Sequence, residues 1–150
     1  MDFTLQKSVE LGVTQITPLI SERVQFRYDE KRLKKKMNHW QKIIESACEQ
    51  SGRAVIPCLN TPLSLPDWLD ADDSPGLLFV PGALTGLMDL PSVSNLRLLV
   101  GPEGGLSDAE VELSLNTKLF TALNIGPRIL RTETAALAAI SILQAQFGDV

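Results

Sequence analysis

Leu96-Arg97-Leu98-Leu99-Val100-Gly101-Pro102-Glu103-Gly104-Gly105-Leu106-Ser107 is an apolar run that breaks abruptly into a glycine-rich turn. Leu96, Leu98, Leu99 and Val100 carry almost no polar surface, which predicts a central strand covered on both faces. The three glycines free the backbone to turn and to approach a ligand. Ser107 stands three residues before Glu110, the spacing of a capping box, in which the hydroxyl accepts a backbone N–H and the carboxylate reaches back to the Ser107 N–H. The stretch therefore reads as a buried strand, a ligand loop and a capped helix over 108–115.

The same grammar occurs twice more. Leu77-Leu78-Phe79-Val80 halts at Pro81-Gly82, and Leu119 to Ile125 halts at Gly126-Pro127, before Arg128-Ile129-Leu130-Arg131 leads into an apolar helix opened by Thr132 and read over Thr134 to Phe147. Three strands that each end in a Gly/Pro loop should share one carboxyl edge, which in open α/β sheets is where ligands bind. The loop after the last strand holds two arginines, a carboxylate and hydroxyls, and Ile129 and Leu130 are expected to anchor it. Polar groups held by apolar neighbours beside a glycine are the makings of a small-ligand pocket.

Upstream, Leu5 and Val9 lie four apart in a helix over 1–11, with Gly12 just past its end. Val13 to Ile20 reads as a strand in which Pro18 marks an end or an edge, and 21–28 as a connection or strand extension carrying Arg23 and Arg27. From Asp29 to Ser51, Leu33, Met37, Trp40, Ile44, Ala47 and Cys48 fall on one helical stripe, and Gly52 is placed as its C-cap. Ala54 to Leu59 resembles a short edge strand, Thr61 to Pro75 a loop, and Leu84 to Leu90 a short helix. Helices alternate with strands, so the fold class is α/β with a largely parallel sheet and helices on both faces.

A chain of 150 residues, 44% of them hydrophobic, forms one domain with a sizeable core. No run reaches the roughly 20 apolar residues of a membrane span, and the N-terminus lacks the pattern of a signal peptide, which gives a cytoplasmic address by default. Cys48 and Cys58 stand in no CxxC or Cys/His cluster and read as buried free thiols. His39 stands without ligand partners at metal spacing and reads as a surface residue, so no metal is expected. The net charge is −4, but it is unevenly spread: residues 1–53 hold ten Lys/Arg against seven Asp/Glu, and residues 54–150 hold four against eleven. Arg23, Arg27, Lys34, Lys35 and Lys36 belong to the basic part. Such a patch can bind nucleic-acid phosphates or can simply be a solvated helix face.

Neither the dinucleotide fingerprint G-x-G-x-x-G nor the P-loop pattern G-x-x-x-x-G-K-[ST] occurs, which disfavours NAD and ATP cradles. The motifs that do occur are Glu10-Leu11-Gly12, Ala47-Cys48-Glu49-Gln50-Ser51-Gly52-Arg53, Gly101-Pro102-Glu103-Gly104-Gly105 and Leu123-Asn124-Ile125-Gly126, followed by Arg128-Ile129-Leu130-Arg131-Thr132-Glu133-Thr134-Ala135. In this order the chain resembles the RsmE family, SPOUT-superfamily enzymes that methylate N3 of a uridine in the 16S rRNA of the small ribosomal subunit. The resemblance spans the whole chain. Family members carry a PUA-like, barrel-type RNA-binding domain ahead of this region, so residues 1–150 correspond to the SPOUT methyltransferase domain alone.

The resemblance implies a C-terminal deep trefoil knot, an exception to the rule that chains do not thread loops. It also implies a homodimer in which the partner completes each pocket, and S-adenosylmethionine (SAM) bound bent in the knot. Carried over residue by residue, the cofactor loops are Val80, Pro81 and Gly82; Gly101, Pro102, Gly104 and Gly105; and Leu123, Asn124, Ile125, Gly126, Ile129, Leu130 and Arg131, with Thr134 and Ala135 at the helix start. Methyl transfer from a sulfonium is an in-line substitution, so the protein must align the uracil nitrogen and handle its proton. Arg131 is the first candidate to stabilise a uracil anion and Arg53 the second. Glu103 or Glu133 could accept the proton or orient an arginine, although Glu133 also suits a helix N-terminus on dipole grounds alone. The rival class is a non-catalytic RNA- or nucleotide-binding α/β module.

Overall fold

The computed structural model describes residues 1–23, 29–80, 82–86 and 95–148. The chain begins with α1 (Asp2–Glu10), followed by the two-residue strands β1 (Gln15–Ile16) and β2 (Leu19–Ile20) and the long helix α2 (Glu30–Ser51). Asp29 caps α2 by accepting the Arg32 N–H, and Gly52 closes it in the left-handed region at φ 72°. The apolar stripe of α2 packs Trp40, Ile44, Ala47 and Cys48 against Leu5 and Val9 of α1, forming one core cluster.

Next come β3 (Cys58–Leu59), β4 (Leu63–Ser64), α3 (Leu65–Asp70), β5 (Gly76–Phe79), β6 (Arg97–Leu99), α4 (Asp108–Asn116), β7 (Phe120–Leu123) and α5 (Thr132–Phe147). Every described strand pair is parallel: β1 with β3, β2 with β4, and β5 with both β6 and β7. Along β5 the side chains alternate. Leu78 joins Leu65, Leu69, Leu99 and Phe120 in one cluster, and Leu77 joins Leu123 against Ile142 and Leu143 of α5. Successive residues thus bury opposite faces, one under α3 and the other under α5. The α/β class with parallel strands matches the sequence reading, and the capping box of α4 is present in full.

Several expectations need correcting. The strand of the glycine-rich stretch, β6, is not central: the order is β6-β5-β7, so β5 holds the middle of the described sheet. The Val13–Ile20 strand is two short strands, because Pro18 lacks an N–H and its carbonyl is taken by Leu63 N at 3.1 Å. Of Ala54–Leu59 only Cys58–Leu59 is strand, and Cys58 is exposed rather than buried. The stretch 61–75, loop-like in composition, contains β4 and α3, where Ser64 accepts the Asp67 N–H at 3.2 Å as an N-cap. Of the helix expected over 84–90, residues 84–86 are extended or bent and Gly86 bridges Asn124, while 87–90 lie outside the described residues.

Sequence reading also missed the use of Arg97. Its side chain is buried between the Trp68 and Phe120 rings, with Cζ 5.1 and 5.0 Å from their centroids. It donates to the carbonyls of Ser74 and Trp68 at 3.1 Å and of Leu69 at 3.4 Å, closing the end of α3. Burial pulls its pKa down, while Asp72 and Asp73 pull the other way. The signal was a lone arginine in an otherwise apolar strand. Gly76 makes room for the same cluster: a Cβ there would stand 2.3 Å from the Phe120 ring.

Candidate functional site

Because β5, β6 and β7 are parallel, the loops that leave them emerge at one edge of the sheet. Those after β5 and β7 are stitched together: Val80 N donates to Leu123 O, and Asn124 N donates to Thr85 O, both at 3.0 Å. Gly82 at φ 81° and Gly126 at φ 117° adopt backbone that L side chains rarely reach, and a Cβ on either would meet nothing within 4 Å. Both glycines therefore border open space, with room for a ligand against bare backbone. Leu84 is fully exposed and Ile129 is 92% exposed. Ile129 thus does not anchor its loop against the protein as expected, whereas Leu130 is half-buried and Ile125 packs on the Leu77–Leu123 cluster. Uncovered apolar side chains beside open glycines suit a ligand with a flat apolar part. Pro81 lies outside the described residues.

The loop after β6 is tighter. Gly105 N donates to Pro102 O at 2.8 Å with Gly105 at φ 72°, and a Cβ on Gly101 would press on Leu106 N at 3.0 Å. The loop is fastened from outside by the segment that follows β2. The Arg23 guanidinium donates to the Gly104 carbonyl, and Glu22 N donates to Glu110 Oε1 at 2.9 Å. The other oxygen of the buried Glu110 carboxylate accepts Ser107 N at 2.8 Å.

Two of the proton-handling candidates, Glu103 and Glu133, line one extended cleft that also runs along α1, the end of α3 and much of α5, so sharing it does not set them side by side. The cleft, of about 930 Å³, is lined by Gly101, Pro102 and Glu103 from the β6 loop and by Thr132, Glu133 and Ala136 from the start of α5. Arg131 is the exposed N-cap residue of α5, makes no side-chain cap bond and does not line this cleft. Thr134 and Ala135 occupy the first turn behind it. Arg53 is engaged elsewhere: its Nη1 donates to the carbonyls of Val9 and Val13, both at 2.8 Å, holding the end of α1. Of the basic set, Lys34 and Lys35 are exposed on α2, Lys36 Nζ lies 5.4 Å from the Trp40 ring, and Arg27 lies outside the described residues. His39 is on the surface with Nε2 2.7 Å from Asp2 Oδ2. Among the described residues no cluster of His, Cys, Asp and Glu could hold a metal, and no helix is long and apolar enough to cross a membrane.

Known proteins share this arrangement. The family described as the RNA methyltransferase domain matches residues 1–144. The chain belongs to the RNA methyltransferase domain family. Within that family it is 43% identical over 153 residues to the ribosomal RNA small subunit methyltransferase E of Buchnera aphidicola subsp. Schizaphis graminum, covering 100% of this chain and 62% of that relative. A Legionella pneumophila protein described as a methyltransferase, solved in complex with bound SAM, superposes with TM-score 0.95 at 44% identity over 100% of this chain and 62% of its own. A ribosomal RNA small subunit methyltransferase E from Neisseria gonorrhoeae bound to SAM gives TM-score 0.90 at 41% identity, over 98% and 61%. The chain thus spans about three-fifths of the length of these relatives, whose names agree with the resemblance read from the motifs.

Proposed function

We propose that this RNA methyltransferase domain is the catalytic part of a SAM-dependent enzyme that methylates N3 of a uridine in the 16S rRNA of the small ribosomal subunit. The observation that carries the reading is the TM-score of 0.95 over the whole chain to a relative solved with SAM. The open glycine backbone at Gly82 and Gly126 supports it, because no side chain keeps adenosine from approaching the chain there. In this reading Val80, Gly82 and Leu123 to Gly126 hold the nucleoside by backbone groups, with Ile125, Ile129 and Leu130 as apolar walls. Gly101, Pro102, Gly104 and Gly105 close the opposite side. The C-terminal segment is knotted, and a second copy of the chain completes each pocket.

The bound SAM supplies an electrophilic methyl group, so the protein's own work is alignment and charge control. Arg131, exposed and unpaired by its helix, stabilises the uracil anion that forms when N3 loses its proton. Glu103 or Glu133 takes the proton or orients Arg131, and Glu133 stands two residues from it in the first turn of α5. The Nη1 bonds of Arg53 to the end of α1 favour Arg131 over Arg53 for the first role. Lys34 and Lys35 offer the RNA phosphates an exposed basic face.

Calorimetric titration of the protein with SAM and, separately, with FMN tests the reading. Saturable SAM binding with no FMN binding is expected. Binding of FMN alone would indicate a nucleotide-binding α/β module instead, and binding of neither would remove the cofactor site.

A further inference from the structure

Arg23 was grouped by sequence with the basic residues that offer themselves to RNA phosphates, yet its guanidinium is bonded to the Gly104 carbonyl. Its stem lies along the glycines of that loop: a Cβ on Gly104 would stand 3.5 Å from Arg23 Cδ, and a Cβ on Gly105 would stand 3.7 Å from Nη1. The neighbouring residue adds a second fastening, since Glu22 N donates to Glu110, the same carboxylate that closes the capping box with Ser107. Two adjacent residues thus hold the middle of the 101–107 turn directly and its helical end through the Glu110 carboxylate. Glycine loops are loose by nature, since each glycine gives up more conformational freedom on ordering than any other residue. An external clamp supplies the order that the loop's own sequence lacks.

We propose that Arg23 is a positioning residue for the glycine loop: it pre-orders the Gly101–Gly105 backbone for the cofactor, and its contribution lies in cofactor affinity rather than in holding RNA. The inference rests on the reading of that loop as part of a SAM site. A pre-ordered loop binds without first paying the ordering entropy, so removing the clamp weakens binding of whatever the loop holds. The charged donor matters, because a charge-assisted hydrogen bond to a carbonyl is stronger than a neutral one.

The test compares wild type, Arg23→Met and Arg23→Lys in the full-length protein, by calorimetry with SAM, by steady-state methylation and by RNA binding against salt. Arg23→Met should raise the Kd and the KM for SAM about three- to tenfold, the range of one exposed charge-assisted hydrogen bond. Its kcat at saturating SAM and its slope of log RNA affinity against log salt should stay close to wild type. Arg23→Lys should recover part of the affinity, because an ammonium can still donate to the Gly104 carbonyl. Wild type that binds SAM beside an Arg23→Met variant of unchanged SAM affinity would overturn the inference alone; wild type that binds no SAM would overturn it together with the function proposed above. A flattened salt slope with unchanged SAM affinity would return Arg23 to the RNA face. Should Arg23→Met lose its cooperative melt, Arg23→Lys and Arg23→Gln carry the same comparison, and SAM affinity equal to wild type in both would contradict the proposal.

Discussion

The carboxamide oxygen of Asn124 accepts the Gly126 N–H at 3.0 Å, so the turn that leaves β7 is closed by a side chain two residues back. This fixes Gly126 at φ 117°, where a side chain is strained although it would strike nothing in the protein. Gly126→Val should therefore lower stability by about 1–3 kcal/mol through backbone strain and at the same time fill the open space proposed for the ligand. Thermal melts and SAM titration of the same variant separate the two. A variant that still folds is expected to have lost SAM binding, and normal affinity in it would remove the loop from the site.

Arg97 offers the opposite test, on the core alone. Arg97→Met keeps the apolar stem between Trp68 and Phe120 but strips the donors from the Ser74, Trp68 and Leu69 carbonyls. A loss of roughly 2–4 kcal/mol is expected, seen as a fall in Tm of roughly 5–15 °C for a domain of this size. Chemical denaturation with unchanged slope and a lower midpoint would check that the native fold itself is retained.

What the sequence revealed was what short-range chemistry dictates. The three apolar runs with Gly/Pro endings, the Ser107–Glu110 capping box and the Asp29 and Gly52 ends of α2 each rest on residues close together along the chain, so they can be read without the fold. The neighbour order of β6 could not: an apolar run reports cover on both faces, not which strands take its hydrogen bonds. Six-residue α3 was hidden because Ser64, Pro66 and Asp67 have the composition of a loop, and only their helical geometry makes them a cap and a first turn. Arg23 and Arg53 were legible as charges but not as donors, since their partners Gly104, Val9 and Val13 lie at least 40 residues away.

The lysines of α2 divide by their surroundings. Lys34→Ser with Lys35→Ser should leave the melting temperature unchanged, because both side chains are exposed, and should flatten the salt slope of RNA binding by roughly 0.7–0.9 for each phosphate no longer neutralised. Lys36→Ser should in addition cost about 0.5–1 kcal/mol, because its ammonium faces the buried Trp40 ring. An unchanged slope in the double variant would make the helix a solvated surface.

A small acid effect is expected at the start of α1. The hydrogen bond from His39 holds the Asp2 carboxyl below its ordinary value of 3.8. A depressed carboxylate stabilises the fold above its unfolded pKa, and that contribution is lost as pH falls through the folded value. Both side chains are more than half exposed, so solvent screening keeps the pair below about 0.5 kcal/mol. Asp2→Asn should flatten the decline of Tm between about pH 5 and pH 2, and an acid limb identical to wild type would show that the pair contributes nothing.

The most direct test of the methyltransferase reading is to incubate the full-length protein with unmodified small ribosomal subunits and methyl-labelled SAM, then digest the RNA and identify the labelled nucleoside. The account predicts label in 3-methyluridine, sharply reduced by Arg131→Lys, which keeps the charge but loses the planar fork. Label in another nucleoside, or none in RNA under conditions where SAM binds, would contradict it.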